Sequence, residues 1–141
     1  MTLLPTPGQL ETAGIDPASV VIVAPPSVDG WDGVRTALIE AFVATRDAAA
    51  AGRPVVVIVH GDDLLGRRGA PRAMVACGLL SGARTAAIEG RKPGTPVNVL
   101  AVEDDTTPET VAMWVARLAE PGGPSGELVH LGSAHLGKAL A

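Results

Sequence analysis

Two short segments of this 141-residue chain hold most of the side chains able to do chemistry. His60-Gly61-Asp62-Asp63 and Val102-Glu103-Asp104-Asp105 each place carboxylates directly after an apolar run, and the first adds an imidazole. His60 with Asp62, Asp63, Asp104 and Asp105 is a donor set for a divalent cation, its oxygen ligands suiting Mg²⁺ or Mn²⁺. The plainer expectation is that these are solvated loop carboxylates and helix caps, with Arg67, Arg68 and Arg72 close enough to pair with them and no metal held. His60 alone has no defined partner for acid–base work. Cys77, the single cysteine, excludes an internal disulfide and reads as a small buried hydrophobe on a helix. His130 reads as packed at an interface and His135 as exposed. The chain contains no tyrosine.

Parallel strands must position these groups. Ser19 to Ala24 (SVVIVA) and Pro54 to Val59 (PVVVIV) are short continuous apolar runs bounded by Pro or Gly, as buried parallel strands are. Val97 to Val102 and Glu127 to Leu131 read as two more. The first is followed by a helix over 31–51, capped by Asp29 or Asp32 and stopped by Gly52, with Trp31, Val34, Leu38, Phe42 (or Ala41) and Thr45 as its apolar stripe. A second long helix spans 70–91. A third opens at Thr107-Pro108, with Thr107 as N-cap and Val111, Trp114, Val115 and Leu118 as its stripe. This alternation predicts right-handed βαβ crossovers and a parallel sheet. HGDD and VEDD then fall at the carboxyl ends of adjacent strands, where open α/β sheets bind ligands. Residues 1–18, punctuated by Pro5, Pro7, Gly8, Gly14 and Pro17, read as an irregular arm, leaving 19–141 as one domain.

Composition sets the remaining bounds. Hydrophobic residues make up 47% of the chain and aromatics 2%, so Ala, Val and Leu must form closely packed helices and strands. With 11 basic against 15 acidic residues and net charge −4, no electrostatic footprint for nucleic acid exists. No apolar run reaches the ~18 residues of a membrane span. The N-terminus lacks a basic start and a continuous apolar stretch, so a cytoplasmic protein is expected.

Glu89, Gly94, Val97 and Asn98, at the end of the second long helix and the start of the next strand, keep the spacing of Ala-x-Glu, then Gly-Ile-x-Val-Asn. Together with Trp31-Asp32, with GRPVVVIV, and with TPETVAMWVARLAEPGGPSGELVHLG, this order resembles the fourth to seventh strands of short-chain dehydrogenases/reductases, closest to the 3-ketoacyl-thioester reductases. The resemblance covers roughly residues 19–133. It implies a truncated Rossmann-like sheet of about four parallel strands with flanking helices. Counted on the family's motifs, the catalytic tyrosine falls near Arg72, the lysine near Ala76, the serine near His60 or Gly61 and the helix asparagine near Leu38. The Gly-rich cofactor turn is missing, Pro25-Pro26-Ser27 replaces Asn-Ala-Gly, and Glu103-Asp104-Asp105 replaces Pro-Gly. Without the phenol and the lysine there is no route for a proton to a carbonyl oxygen.

The resemblance therefore implies a non-catalytic, reductase-like subunit that binds no NAD(P) by itself. In the family the two long helices form a four-helix dimer interface, which here implies pairing with itself or with a full-length reductase that holds NAD(P) and acts on acyl-thioester or similar substrates. The expected interface residues are Trp31, Val34, Leu38, Phe42, Met74, Leu80, Ala83 and Ala87, the small side chains on the second helix permitting close contact. The alternative is a small enzyme or ligand-binding protein with a site rebuilt at His60 and the acidic loops 62–63 and 103–105.

Overall fold

The structure, a computed structural model, describes residues 4–90 and 94–133. Four strands, β1 (Val21–Val23), β2 (Val55–His60), β3 (Val97–Val102) and β4 (Leu128–His130), form one all-parallel sheet in the order β1-β2-β3-β4. β2 and β3 pair along their whole length, from Val55 with Val97 to His60 with Val102. The two chemistry-bearing loops thus leave the sheet side by side, as the sequence implies.

Strand residues alternate between two cores, because successive Cβ atoms point to opposite faces. Val23, Val55, Val57, Val59, Val97, Val99 and Ala101 face α2 (Trp31–Ala50) and α4 (Ala70–Glu89). Val56, Ile58, Leu100 and Val102 face α5 (Pro108–Leu118) and α1 (Pro7–Thr12). A short helix, α3 (Gly61–Leu64), follows β2 directly. Each fully buried Val or Leu contributes about 1.5–3 kcal/mol relative to exposure, so this two-sided core is the main stabilising term.

Three local expectations are corrected. Residues 6–19 are not irregular: Thr6 and Gln9 form a reciprocal capping box that starts α1, and a 3₁₀ turn spans Pro17–Ser19. Leu10 is buried on the α5 side and Gln9 Nε2 donates to Glu109 Oε1 at 2.8 Å, so this segment belongs to the domain. Neither Asp29 nor Asp32 caps α2; its N-cap is Gly30, with no side-chain bond, and Asp32 sits in the first turn. The crossovers do not share one hand. α2 and α4 cross one face and α5 the other while strand order advances in a single direction, so β3–α5–β4 has the opposite hand to its predecessors. Covering Val56, Ile58, Leu100 and Val102 requires a helix on that second face, and the Val111, Val115 and Leu118 stripe supplies it.

Of the three buried polar residues among those described, Thr95, Asn98 and Thr106, Asn98 lies deepest. Asn98 is wholly buried, and its Nδ2 donates to Leu118 O (2.9 Å) and Pro124 O (2.8 Å) while Oδ1 accepts from Glu127 N (3.1 Å). It ties the end of α5 and the following turn to the entry of β4. Asn98→Leu keeps the branched shape but leaves those buried groups unpaired, at about 1–3 kcal/mol each. We expect a loss of about 3 kcal/mol, a melting temperature lower by on the order of 10 °C. Calorimetry showing unchanged melting would refute this role.

Candidate functional site

His60, the last residue of β2, is the N-cap of α3. Its Nδ1 accepts the Asp62 backbone N–H at 3.1 Å, which places the ring proton on Nε2, from where it donates to Asp104 Oδ1 at 3.0 Å. Both nitrogens are occupied, so the ring has no free lone pair for a metal or for a substrate proton. The neighbouring charges are also paired: Arg67 with Asp62 at 3.1 Å, and Arg68 with Asp63 at 3.3 Å. The second contact is an ion pair without hydrogen-bond alignment, since Asp63 Oδ1 is buried and accepts no bond. Arg72 does not join these loops; its nearest carboxylate is Asp29, at 3.9 Å.

A second imidazole–carboxylate pair lies beside the first. His130, at the end of β4, meets Glu103 Oε1 through Nε2 at 2.7 Å, and both side chains are largely buried. Thr106 Oγ1 accepts the Glu103 N–H and donates to Leu131 O, joining the loop after β3 to the end of β4. Gly61 makes room for this pair, because a Cβ there would run into Glu103 Oε1 and crowd His130 Nε2. The sequence reading missed the pair. The adjacency of the two strand ends was its only signal.

His60, Asp62 and Glu103 bring donor atoms within 4.8 Å of one another, whereas the expected partners Asp63, Asp104 and Asp105 do not join that group. Asp104 is 90% exposed, and Asp105 is exposed as well. The acidic loops thus act mainly as helix-cap, ion-pair and solvated groups.

Beside these loops, a cleft of about 540 Å³ opens at the carboxyl ends of the strands. His60, Arg72 and Ala76 line it together with Pro25, Pro26 and Ser27, so three of the four positions matched to reductase catalytic residues share one cavity. Leu38 does not; it packs from α2 onto Gly78 of α4, where a Cβ would collide with its Cδ2. That contact brings α2 and α4 side by side, and an apolar groove of about 530 Å³ lies between them, lined by Phe42, Gly78 and Gly82 among others.

The expected interface residues fall in two groups. Val34, Leu80, Ala83 and Ala87 are buried in the chain's own core, beneath α2 and α4, and have no surface left for a partner. Trp31 (64% exposed), Phe42 (65%) and Met74 (45%) stand outward, and Leu38 is half-buried at the groove. Cys77, expected to be buried, is exposed. His130 is paired with Glu103, while His135 lies outside the described residues.

Among the described residues no helix is long and apolar enough to cross a membrane. No family model and no curated protein matches the chain.

The satisfied donors make a direct prediction. Saturating Mg²⁺, Mn²⁺ or Zn²⁺ should leave the melting temperature unchanged, whereas a site filled at 100 times its Kd would add about 2.7 kcal/mol. A metal-dependent rise abolished by Asp62→Asn or Glu103→Gln would contradict this account.

Proposed function

We propose that the chain is a non-catalytic, reductase-like subunit that acts by docking, either on a second copy or on a full-length short-chain dehydrogenase/reductase whose own site holds NAD(P) and acts on acyl-thioester or similar substrates. The observation that supports this most is the outward surface of α2 and α4. Trp31, Ile39, Phe42, Val43, Met74 and Ile88 are all exposed there, in a chain with very few aromatic residues. Single exposed apolar residues are ordinary, but a concentration on one helix pair marks an interaction surface. The sheet offers a second one, since β1 has no strand beyond it among the described residues.

The cleft chemistry fits the same reading. No tyrosine exists in the chain to donate a proton. Arg72 and Ala76 stand where the resemblance puts the catalytic tyrosine and lysine, and an arginine does not give up a proton in proteins. His60 has its tautomer fixed by the α3 cap, so it is not a free base. Chemistry is thereby assigned to the partner, and this chain supplies surface.

The burial pattern decides which substitutions test the idea. Phe42→Glu and Met74→Glu change exposed side chains, so the fold should survive while the assembly, of about 2,000 Å² or more if obligate, dissociates. Leu80→Glu and Ala83→Glu would instead bury an unpaired carboxylate within the monomer and should prevent folding. Light scattering on the chain, alone and co-expressed with its genomic neighbours, reads the difference. A monomer under both conditions, indifferent to Phe42→Glu, would overturn the proposal.

A further inference from the structure

We infer that the cleft at the carboxyl ends of the strands binds a small organic anion, its carboxylate or phosphate held by Arg72 and the His60 Nε2–H and its apolar body lying on the cleft floor. The inference is independent of the docking reading, which concerns the flank of α2 and α4 rather than the end of the sheet.

Arg72 carries the argument. Its side chain is only 27% exposed, yet its nearest carboxylate is 3.9 Å away on Asp29, which is itself 97% exposed. Much of the side chain packs against the cleft wall, while the guanidinium, which makes no hydrogen bond with the described residues, keeps its fork of donors available there. Arg72 is also the third residue of α4, at the positive end of the helix dipole, where a carboxylate is favoured and a cation is not. The first turn of α4 contains no acidic residue, and its N-cap Gly69 makes no side-chain bond. Arg68, the other cation lining the cleft, is already paired with Asp63. Among the described residues, Arg72 at this helix start has only the solvated Asp29 as a counterion, at 3.9 Å. An anionic ligand would supply a closer one.

The rest of the cleft suits an amphiphile. Ile58, Val59, Val75, Ala76 and Val102 give it an apolar floor, and its volume of about 540 Å³ falls in the range of small-molecule sites. His60 adds a donor rather than an acceptor, because its proton is fixed on Nε2. Its present acceptor, Asp104, is almost wholly solvated, so a ligand oxygen can replace that carboxylate without burying it. Arg72 and the His60 donor favour an anion with a short apolar body over a neutral alcohol, while the two carboxylates that also line the cleft are paired with Arg68 (Asp63) or solvated (Asp104).

Calorimetric titration of the full chain at low ionic strength tests this with three probes sharing one apolar body: octanoate, octyl phosphate and octan-1-ol. We expect saturable one-to-one binding of at least one anion and none of the alcohol. Binding of octanoate alone assigns a carboxylate ligand, and of octyl phosphate alone a phosphate ligand. Arg72→Gln should weaken binding about tenfold or more, as loss of a charged hydrogen bond does. Arg72→Lys, which keeps the charge without the fork, should fall between, and Arg84→Gln on the exposed side of α4 should bind as the parent does. Without ligand, Arg72→Gln should melt no lower than the parent; a lower melting point would mark Arg72 as structural and count against the site. The inference fails if neither anion saturates, if the alcohol binds equally well, or if Arg72→Gln binds as tightly as the parent.

Discussion

β2 and β3 are buried on both sides: Val55 to Val59 and Val97 to Val102 have almost no contact with water, and a parallel pair of this kind must be covered above and below. Much else follows from that requirement. One face is closed by α2 and α4. The other needs α5, which brings in a crossover of the opposite hand to the first two, and α1, drawn from a Pro-punctuated segment, to complete the cover. Full pairing of β2 with β3 also fixes the loops: His60 and Val102 are partners in register, so the groups just beyond them must meet.

What those groups do is decided by competition between capping and chemistry. An imidazole at the start of α3 satisfies an orphan N–H, and doing so commits its proton to the other nitrogen. Glu103, His130, Asp62 and Arg67 are likewise occupied with one another. The acidic loops hold the strand ends together, and among the described residues Arg72 beside them has only Asp29, at 3.9 Å, as a carboxylate neighbour. The same structure thus separates two surfaces: a cleft at the end of the sheet and an apolar flank on α2 and α4.

Much of the fold was legible in the sequence. Apolar runs of Val and Ile gave three of the strands to within a residue or two, and Thr107-Pro108 gave the start of α5 with its cap. Where the reading failed, the missing information was tertiary. The prolines and glycines of the first segment signalled turns, while the Thr6–Gln9 capping box, which makes α1, went unread. The stripe assigned to α2 was offset, because small residues, Ala37 and Ala48 beside Val34, take the buried positions and Trp31 and Phe42 do not. The contact with Gly78 of α4 is made by Leu38, which is half-buried. The Glu103–His130 pair joins residues far apart in the chain and needed the β3–β4 register to be seen.

Trp31 offers the most direct test of the central claim, that the outward surface of α2 and α4 is covered in the working protein. Only one other tryptophan, Trp114, exists in the chain, so Trp114→Phe leaves Trp31 as the single indole reporter. Acrylamide quenching of its fluorescence can then be followed from dilute to concentrated protein, and in the complex purified with its genomic neighbours. The account predicts an emission that shifts to the blue and a quenching constant that falls as assembly proceeds. A Trp31 as accessible in every state as it is in the monomer would contradict it.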